Sequence, residues 1–331
     1  MNGNSDSELL SHPYISVLIP VFNEEPNLEE LYKRLKQALD LYGKSYELLF
    51  IDDGSTDNSY EVLRWLHSSD SKVRAIKFAR NFGQQMAIAA GLKYSRGDVV
   101  VLIDADLQTM PEEIPKLVDK LLEGYDIVYG IRQRRKDPLL RRIGSWCMSH
   151  LLYRITNIEI PDSASGFLAL NRTFVDSINL FNEKSKYFSG LFAWLSYGRW
   201  GSVPVTHAPR RAGVSKYSIP KLIGLTLNFV CNFTTLPLRF AFYTGGVLAT
   251  IGGGAFAAIL ALRLLGILGR LPAVETLGAL IILCTGLQIF FIGIVGEYLG
   301  RVYVEVKERP PYVVKEVLDA QVSGSHDYAG N

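Results

Sequence analysis

Two carboxylates one residue apart follow the most apolar short stretch of this chain, Asp98–Asp104 (DVVVLID), in the run Asp104-Ala-Asp106-Leu-Gln108. At the mouth of a buried strand such anions repel each other unless a cation sits between them. Hard oxygen ligands of this kind suit Mg2+ or Mn2+. The plain alternative is a solvated loop with Asp106 as a helix cap. Two more polar clusters precede this one: Pro20-Val-Phe22-Asn-Glu24-Glu and Asp52-Asp53-Gly-Ser-Thr-Asp57. Each alone reads equally well as turn and capping chemistry, where Asp, Gly and Ser dominate. No G-x-G-x-x-G follows the first apolar run, and no P-loop lysine motif occurs, which argues against a dinucleotide dehydrogenase or a P-loop NTPase. A metal-bound nucleoside diphosphate fits the three clusters better. The cation neutralises the diphosphate, and acids on the other loops hold ribose hydroxyls and a base edge.

The elements that must position these clusters alternate. Tyr14–Phe22 is a β-branched apolar run, hence a buried strand. Asn27–Tyr42 carries Leu28, Leu31, Leu35, Ala38, Leu39 and Tyr42 at helical spacing. Tyr46–Asp53 is the next strand, and Thr56 or Asp57 caps a helix with Val62, Leu63 and Leu66. Strand Val73–Ala79, helix Gln84–Tyr94 and strand Asp98–Asp104 follow. Pro111 opens a helix that ends near Gly124, and Asp126–Ile131 is a fifth strand. This alternation predicts a Rossmann-like, mostly parallel α/β sheet with helices on both faces. Sites in such sheets lie beyond the carboxyl ends of the strands, where all three clusters fall.

The remainder is different in kind. The 331 residues carry a formal net charge of +2, too balanced for a dedicated nucleic-acid binder. Yet residues 240–296 hold only Arg263, Arg270 and Glu275 as charges. Phe240–Leu262 and Thr276–Gly296 are charge-free runs of 23 and 21 residues. As helices each is about 30 Å long, a bilayer's hydrocarbon thickness. The expectation is two transmembrane helices, about 240–262 and 276–298, with Gly245, Gly246, Gly252, Gly253 and Gly254 suited to close helix contact. A buried soluble helix pair is the alternative. The polar N-terminus has no apolar signal segment. Basic residues flank the pair on both outer sides: Arg210, Arg211, Lys216, Lys221 and Arg239 before it, Arg301, Lys307, Arg309 and Lys315 after it. Both termini and the large N-terminal part are therefore expected in the cytoplasm. Cys147, Cys231 and Cys284 match no metal spacing and read as reduced, buried small hydrophobes.

In combination the motifs resemble a family. Pro20-Val-Phe-Asn-Glu24, Asp52-Asp-Gly-Ser-Thr-Asp57, Arg80-Asn-Phe-Gly-Gln84 and Asp104-Ala-Asp-Leu-Gln108 look like a family 2 glycosyltransferase of GT-A fold. Arg132-Gln-Arg-Arg-Lys-Asp137, Ser215-Lys-Tyr-Ser218, Thr234-Thr-Leu-Pro-Leu-Arg239 and Gly296-Glu-Tyr-Leu-Gly-Arg-Val-Tyr303 narrow this to the membrane-anchored polyprenyl-phosphate glycosyltransferases. That group includes dolichol-phosphate mannose synthases, prenyl-phosphate glucosyltransferases and undecaprenyl-phosphate 4-deoxy-4-formamido-L-arabinose transferases. The resemblance runs from about Ile15 to Pro310. With the runs above it gives a polar tail (1–13), a cytoplasmic GT-A catalytic domain (14–212), a segment 213–239, two transmembrane helices (240–299) and a cytoplasmic C-terminal tail (300–331). In 213–239, Leu222, Leu225, Phe229 and Phe233 form an apolar stripe that suits an interfacial amphipathic helix, and a core helix equally. The tail reads as polar and mobile after Pro311.

By the same resemblance Asp104, Asp106 and Gln108 hold the metal and diphosphate. Pro20, Phe22, Glu24 and Asp53, with Asp104, line the nucleotide sugar, and Arg132, Arg135, Ser215 and Lys216 face phosphates near the membrane. Where many relatives carry a Gly-Asp-Phe-Arg-like run, this chain has Ser165-Gly166-Phe167-Leu168. The acid that would act as base or orient the acceptor is absent, and Asp162 is its nearest stand-in. The implied reaction is transfer of one sugar from a nucleotide sugar, a UDP-sugar foremost, to a polyprenyl phosphate such as undecaprenyl phosphate. A single direct displacement would invert the anomeric carbon. Such an enzyme would sit in the bacterial inner membrane, and the resemblance permits a homo-oligomer. Two alternatives stay open. A processive polysaccharide synthase would need Gln-x-x-Arg-Trp, whereas this chain has Ser196-Tyr-Gly-Arg199-Trp200 and two apolar runs only. A non-catalytic nucleotide-binding membrane protein would fit the altered 165–168 run.

Overall fold

The computed structural model describes residues 12–132, 164–181, 188–196, 198–206, 234–265 and 273–319. The chain divides into two compact units, Met1–Lys216 with Arg309–Asn331, and Tyr217–Glu308.

The first unit is a mixed α/β sheet with helices on both faces. Its strands are β1 (Ile15–Val21), β2 (Tyr46–Asp52), β3 (Val73–Phe78), β4 (Val99–Leu102), β5 (Ile127–Arg132), β6 (Ala164–Asn171), β7 (Trp200–Val205) and β8 (Val314–Leu318). They lie in the order β7-β5-β6-β4-β1-β2-β3-β8. The β4-β1-β2-β3 stretch is parallel, as the alternation predicts. β6 runs antiparallel between β4 and β5, and β8 is an antiparallel edge strand on β3. The helices are α1 (Glu25–Tyr42), α2 (Ser59–Ser69), α3 (Gln84–Tyr94), α4 (Ile114–Leu121), α5 (Arg172–Asn179) and α6 (Phe188–Ser196). A single 3-10 turn, Pro111–Glu113, leads into α4.

Period-two alternation in the strands sorts the core into two layers. Val17, Ile19, Leu48 and Phe50 face α1, α2 and α4 through Leu28, Leu31, Leu35, Leu63, Leu66, Leu117 and Val118. Leu18, Leu49 and Ile51 face the other side, where α3, α5 and α6 supply Ile88, Leu92, Phe174, Ile178 and Phe192. Proline is tolerated at position 20 of a central strand for a local reason. The β1–β4 pairing ends at Leu18↔Leu102, so no β4 acceptor lies opposite the missing N–H.

The expected polar, mobile tail after Pro311 is corrected here: residues 314–318 are a sheet strand. The segment is held chemically as well as by its ladder. Arg74, only 6% exposed, lies between Glu47 and Asp319, both also buried. Arg96 donates to the same Asp319 at 2.7 Å, and Ser16 donates to Glu47. Buried charges persist only when paired and hydrogen-bonded, so the cluster fixes β8 to the N-terminal end of β3.

The second unit contains α7 (Leu236–Leu264, 29 residues) and α8 (Ala273–Val306, 34 residues). The Tyr298 hydroxyl donates to the Thr234 carbonyl at 2.8 Å, tying the end of α8 to the start of α7. The two charge-free runs coincide with these helices. Among the described residues no helix is long and apolar enough to cross a membrane. A Cβ added at Gly245, Gly246, Gly252 or Gly254 would meet nothing within 4 Å. The close contact expected at these glycines is thus not made among the described residues. Cys284, expected buried, is exposed on α8.

Candidate active site

β4, β1, β2 and β3 are neighbours and point the same way, so their carboxyl ends form one rim. The loops that leave it are interlocked. Asn23 sits in the left-handed region at φ 56, which Asn adopts more readily than most residues. Its backbone N–H donates to Ser55 Oγ at 3.0 Å, and its side-chain carbonyl accepts from the Thr56 N–H at 2.8 Å. The Glu24 N–H donates to Ser59 Oγ, and its carboxylate accepts from Asn27 Nδ2 at 2.7 Å. The first and second polar clusters are therefore one structure. Pro20 is half-buried beneath it, and the Phe22 ring is 41% exposed at its rim.

Asp53 is nearly inaccessible, at 3% exposure. Its two carboxylate oxygens accept the backbone N–H groups of Phe82 and Gly83 at 2.7 and 2.9 Å. Burial raises its pKa, against the lowering effect of those two amides. The turn they belong to, residues 79–83, lies directly on Gly54. A Cβ at Gly54 would come within 2.4 Å of the Arg80 carbonyl carbon, and its φ of +68 is itself a glycine conformation. Asp52 is fully buried; one oxygen accepts from the Ser55 N–H, and the other meets no hydrogen-bond partner among the described residues. Burial raises its pKa too.

The third cluster is reached from two sides. Gln84, the first residue of α3, donates from Nε2 to Asp104 Oδ1 at 2.9 Å. From the β6 side, Gly166 leaves a hollow against the same carboxylate: a Cβ there would lie 2.9 Å from Asp104 Oδ2. Asp106 Oδ1 accepts the Gln108 backbone N–H at 3.0 Å, a local turn across Leu107, which has φ 59. A bulky residue in that conformation is a backbone outlier, the kind of strain that clusters at ligand sites. Asp106 does not cap a helix, because the next helical turn begins at Pro111. Among the described residues no three His, Cys, Asp or Glu converge on a metal site. The oxygen donors of Asp104 and Asp106 fit a cation held by one or two carboxylates and shared with substrate phosphates.

The structure thus brings Pro20, Phe22, Glu24, Asp53, Asp104, Asp106 and Gln108 to one rim. Gln108 contributes its backbone amide to the turn. Arg132 ends β5, with its side chain outside the described residues, and Arg135, Asp162, Ser215 and Lys216 lie outside them altogether. The sequence assigns Gln84 no role; its bond to Asp104 is a contact that only the structure reveals. Arg199 and Trp200 serve the sheet edge instead: Arg199 pairs with Asp126 at 3.3 Å, and the Trp200 ring meets Tyr129 edge-on.

Residues 16–178 match the Glycosyl transferase family 2 domain. The uncharacterized glycosyltransferase YkcC of Bacillus subtilis is 35% identical over 92% of this chain and 94% of its own length. That extent of likeness decides the family. The chain is a family 2 glycosyltransferase. The undecaprenyl-phosphate 4-deoxy-4-formamido-L-arabinose transferase of Edwardsiella ictaluri is 38% identical to this glycosyltransferase, over 95% of this chain and 97% of its own. A Mycobacterium tuberculosis glucosyl-3-phosphoglycerate synthase, solved with Mn2+, UDP and glucosyl-3-phosphoglycerate, is similar at 21% identity and a TM-score of 0.47, covering 70% of this chain and 84% of that one. Membership of an enzyme family answers the non-catalytic alternative.

Proposed function

We propose that this glycosyltransferase has a GT-A catalytic domain and moves one sugar from a UDP-sugar to a polyprenyl phosphate, with inversion and with Mg2+ or Mn2+. The observation that carries the reading is the rim itself: Asp104, between Gln84 and the hollow at Gly166, beside the interlocked loops of Asn23–Asp57. The likeness to an enzyme named for undecaprenyl phosphate supports the acceptor class.

Phe22 and Glu24 offer a ring and a carboxylate to the nucleoside. Pro20 and Asp53 shape the wall behind them, and Asp104 and Asp106 face the diphosphate. A bound divalent cation would neutralise charge on the leaving diphosphate. Arg132, Arg135, Ser215 and Lys216 would hold the acceptor phosphate, the bidentate arginines being the geometric match for phosphate oxygens. No strong base is required. A phosphate monoester has a second pKa of ~6, so it reaches the site largely as the dianion, already nucleophilic. The chain's own task is to bring two anions together and hold them in line. An acid at position 166 would crowd Asp104 in this backbone, which supports a mechanism without it.

The membrane part of the reading rests on the two charge-free runs and on the large apolar side chains exposed along both helices. Phe242 is 76% exposed, Ile251 64% and Ile292 69%. Continuous exposed apolar surface of this kind needs a cover, and lipid is the cover a polyprenyl acceptor implies. In this reading α7 and α8 are the two spans, residues 213–239 lie in the interface, and both termini are cytoplasmic.

The test is the full chain in detergent with undecaprenyl phosphate, Mg2+ or Mn2+ and a panel of UDP- and GDP-sugars, the lipid being read by mass spectrometry. One added sugar, lost in Asp106→Asn, is expected. A polymeric product, or no modified lipid with any donor, would overturn the proposal.

A further inference from the structure

We infer that Tyr312 and the start of β8 are positioning elements for the donor site, although they lie some 230 residues after it in sequence. The inference rests on the nucleotide-sugar reading of the rim for its functional half only.

The turn 79–83 carries the two amides that occupy Asp53 and ends at Gln84, which holds Asp104. Such a turn has few means of holding its own shape. Gly54 supports it from beneath by backbone contact. Its other support comes from the C-terminal segment. The Ala79 N–H donates to the Val313 carbonyl at 2.9 Å. The Tyr312 ring stacks on Phe78, with centroids 4.9 Å apart and planes 14° from parallel. Phe78 in turn meets Phe82 edge-on at 5.8 Å, and the Arg80 guanidinium covers the Phe82 ring at 4.6 Å. Tyr312, Phe78 and Phe82 therefore form one aromatic run from the C-terminal segment to the residue whose amide binds Asp53. The ladder shifts register between Lys77 and Phe78, where the chain leaves the sheet for this turn, so regular strand pairing alone does not set the turn's height. Plain core filling would make the same contacts. It would not make the Phe82 and Gly83 amides depend on a ring two contacts away.

The test uses the full chain in detergent. Amide hydrogen exchange is followed at Phe82 and Gly83, and UDP with Mn2+ is titrated by calorimetry. Tyr312→Ala is expected to speed exchange at these two amides about tenfold and to weaken UDP binding by a similar factor, from loss of the ring pair. Exchange in β1 and β4 should not change. Tyr312→Phe, which keeps the stack, should restore both readouts. Where Tyr312→Ala also speeds exchange in β1 and β4, Tyr312→Leu carries the test, because it keeps the apolar volume without the flat ring. Unchanged exchange at Phe82 and Gly83 in a folded variant lacking the ring overturns the inference. Faster exchange there, in a protein whose unmodified form does not bind UDP with Mn2+, upholds the positioning and refutes the nucleotide reading instead.

Discussion

Replacing Gly166 by alanine adds one carbon atom against the carboxylate on which the proposed metal site depends. That Cβ would lie 2.9 Å from Asp104 Oδ2 and 3.5 Å from Cγ. Comfortable contact requires about 0.5 Å more. β6 cannot easily supply it. The strand is paired to β4 and β5, and the neighbouring Phe167 is 1% exposed. The Asp104 side chain is the part that gives. An off-rotamer shift costs about 1 kcal/mol, and straining the Gln84 hydrogen bond costs about another 1 kcal/mol. A loss near 2 kcal/mol lowers the melting temperature by about 5 °C and leaves the sheet folded. Catalysis suffers more, because misplacing a reacting or positioning group by a fraction of an ångström costs roughly 10- to 100-fold. The assay is sugar transfer to undecaprenyl phosphate across a range of Mn2+ concentrations, with a melting curve for each variant. Gly166→Ala should lose that factor in kcat/KM, and excess Mn2+ should recover part of it. Gly166→Asp should be worse than Gly166→Ala, since its acid also repels Asp104. Unaltered turnover and metal dependence in Gly166→Ala would refute both the assignment of Asp104 and the reasoning from the hollow.

Gly54→Ala forces a left-handed residue and a clash with the Arg80 backbone; a loss of about 2–4 kcal/mol is expected in urea unfolding, with UDP–Mn2+ binding lost by calorimetry. Wild-type nucleotide affinity in that variant would mean the two loops do not depend on their close approach. Asp319→Asn leaves the buried Arg74 with Glu47 as its one carboxylate partner among the described residues and should cost about 3 kcal/mol in the same measurement, with faster amide exchange confined at first to β8. Asp52→Asn tests the buried carboxyl. Burial raises its pKa in the folded state, so the folded protein holds that proton more tightly than the unfolded chain. The resulting penalty is absent below the unfolded value, near pH 4, grows as pH rises from there to the raised folded-state value, and is constant above it. The variant should therefore be the more stable protein at pH 7, with the gain fading towards pH 4; an equal gap at both pH values would contradict the assignment.

The parallel part of the sheet was legible because its signals are local. An apolar β-branched run such as Ile15–Val21 and a 3.6-residue period such as Leu28, Leu31, Leu35 need no distant partner to be recognised. Helix α3 begins and ends where its sequence says, at Gln84 and Tyr94. Asp104 and Asp106 stood out because charge follows directly on a buried strand. Non-local features were not legible. Nothing in Val314–Leu318 announces a strand: it is five residues long, its adjacent Lys315 and Glu316 break any period-two pattern, and it lies at a sheet edge. Its anchor, Asp319 on Arg74, joins residues 245 apart. β6 was equally invisible, as a strand and in its direction, since the legible strand–helix alternation stops at Asp126–Ile131. That direction sets Gly166 against Asp104, so a departure that read as a missing acid becomes the hollow in which the carboxylate lies. Asp53 makes the same point from the other side. Its motif suggests a group reaching for ligand, yet both its oxygens accept main-chain amides of a turn fixed by Gly54 and the C-terminal segment. Much of this motif therefore acts on the protein itself. It locks three loops into one rim, and the chemistry falls to the few side chains that the rim leaves facing outward.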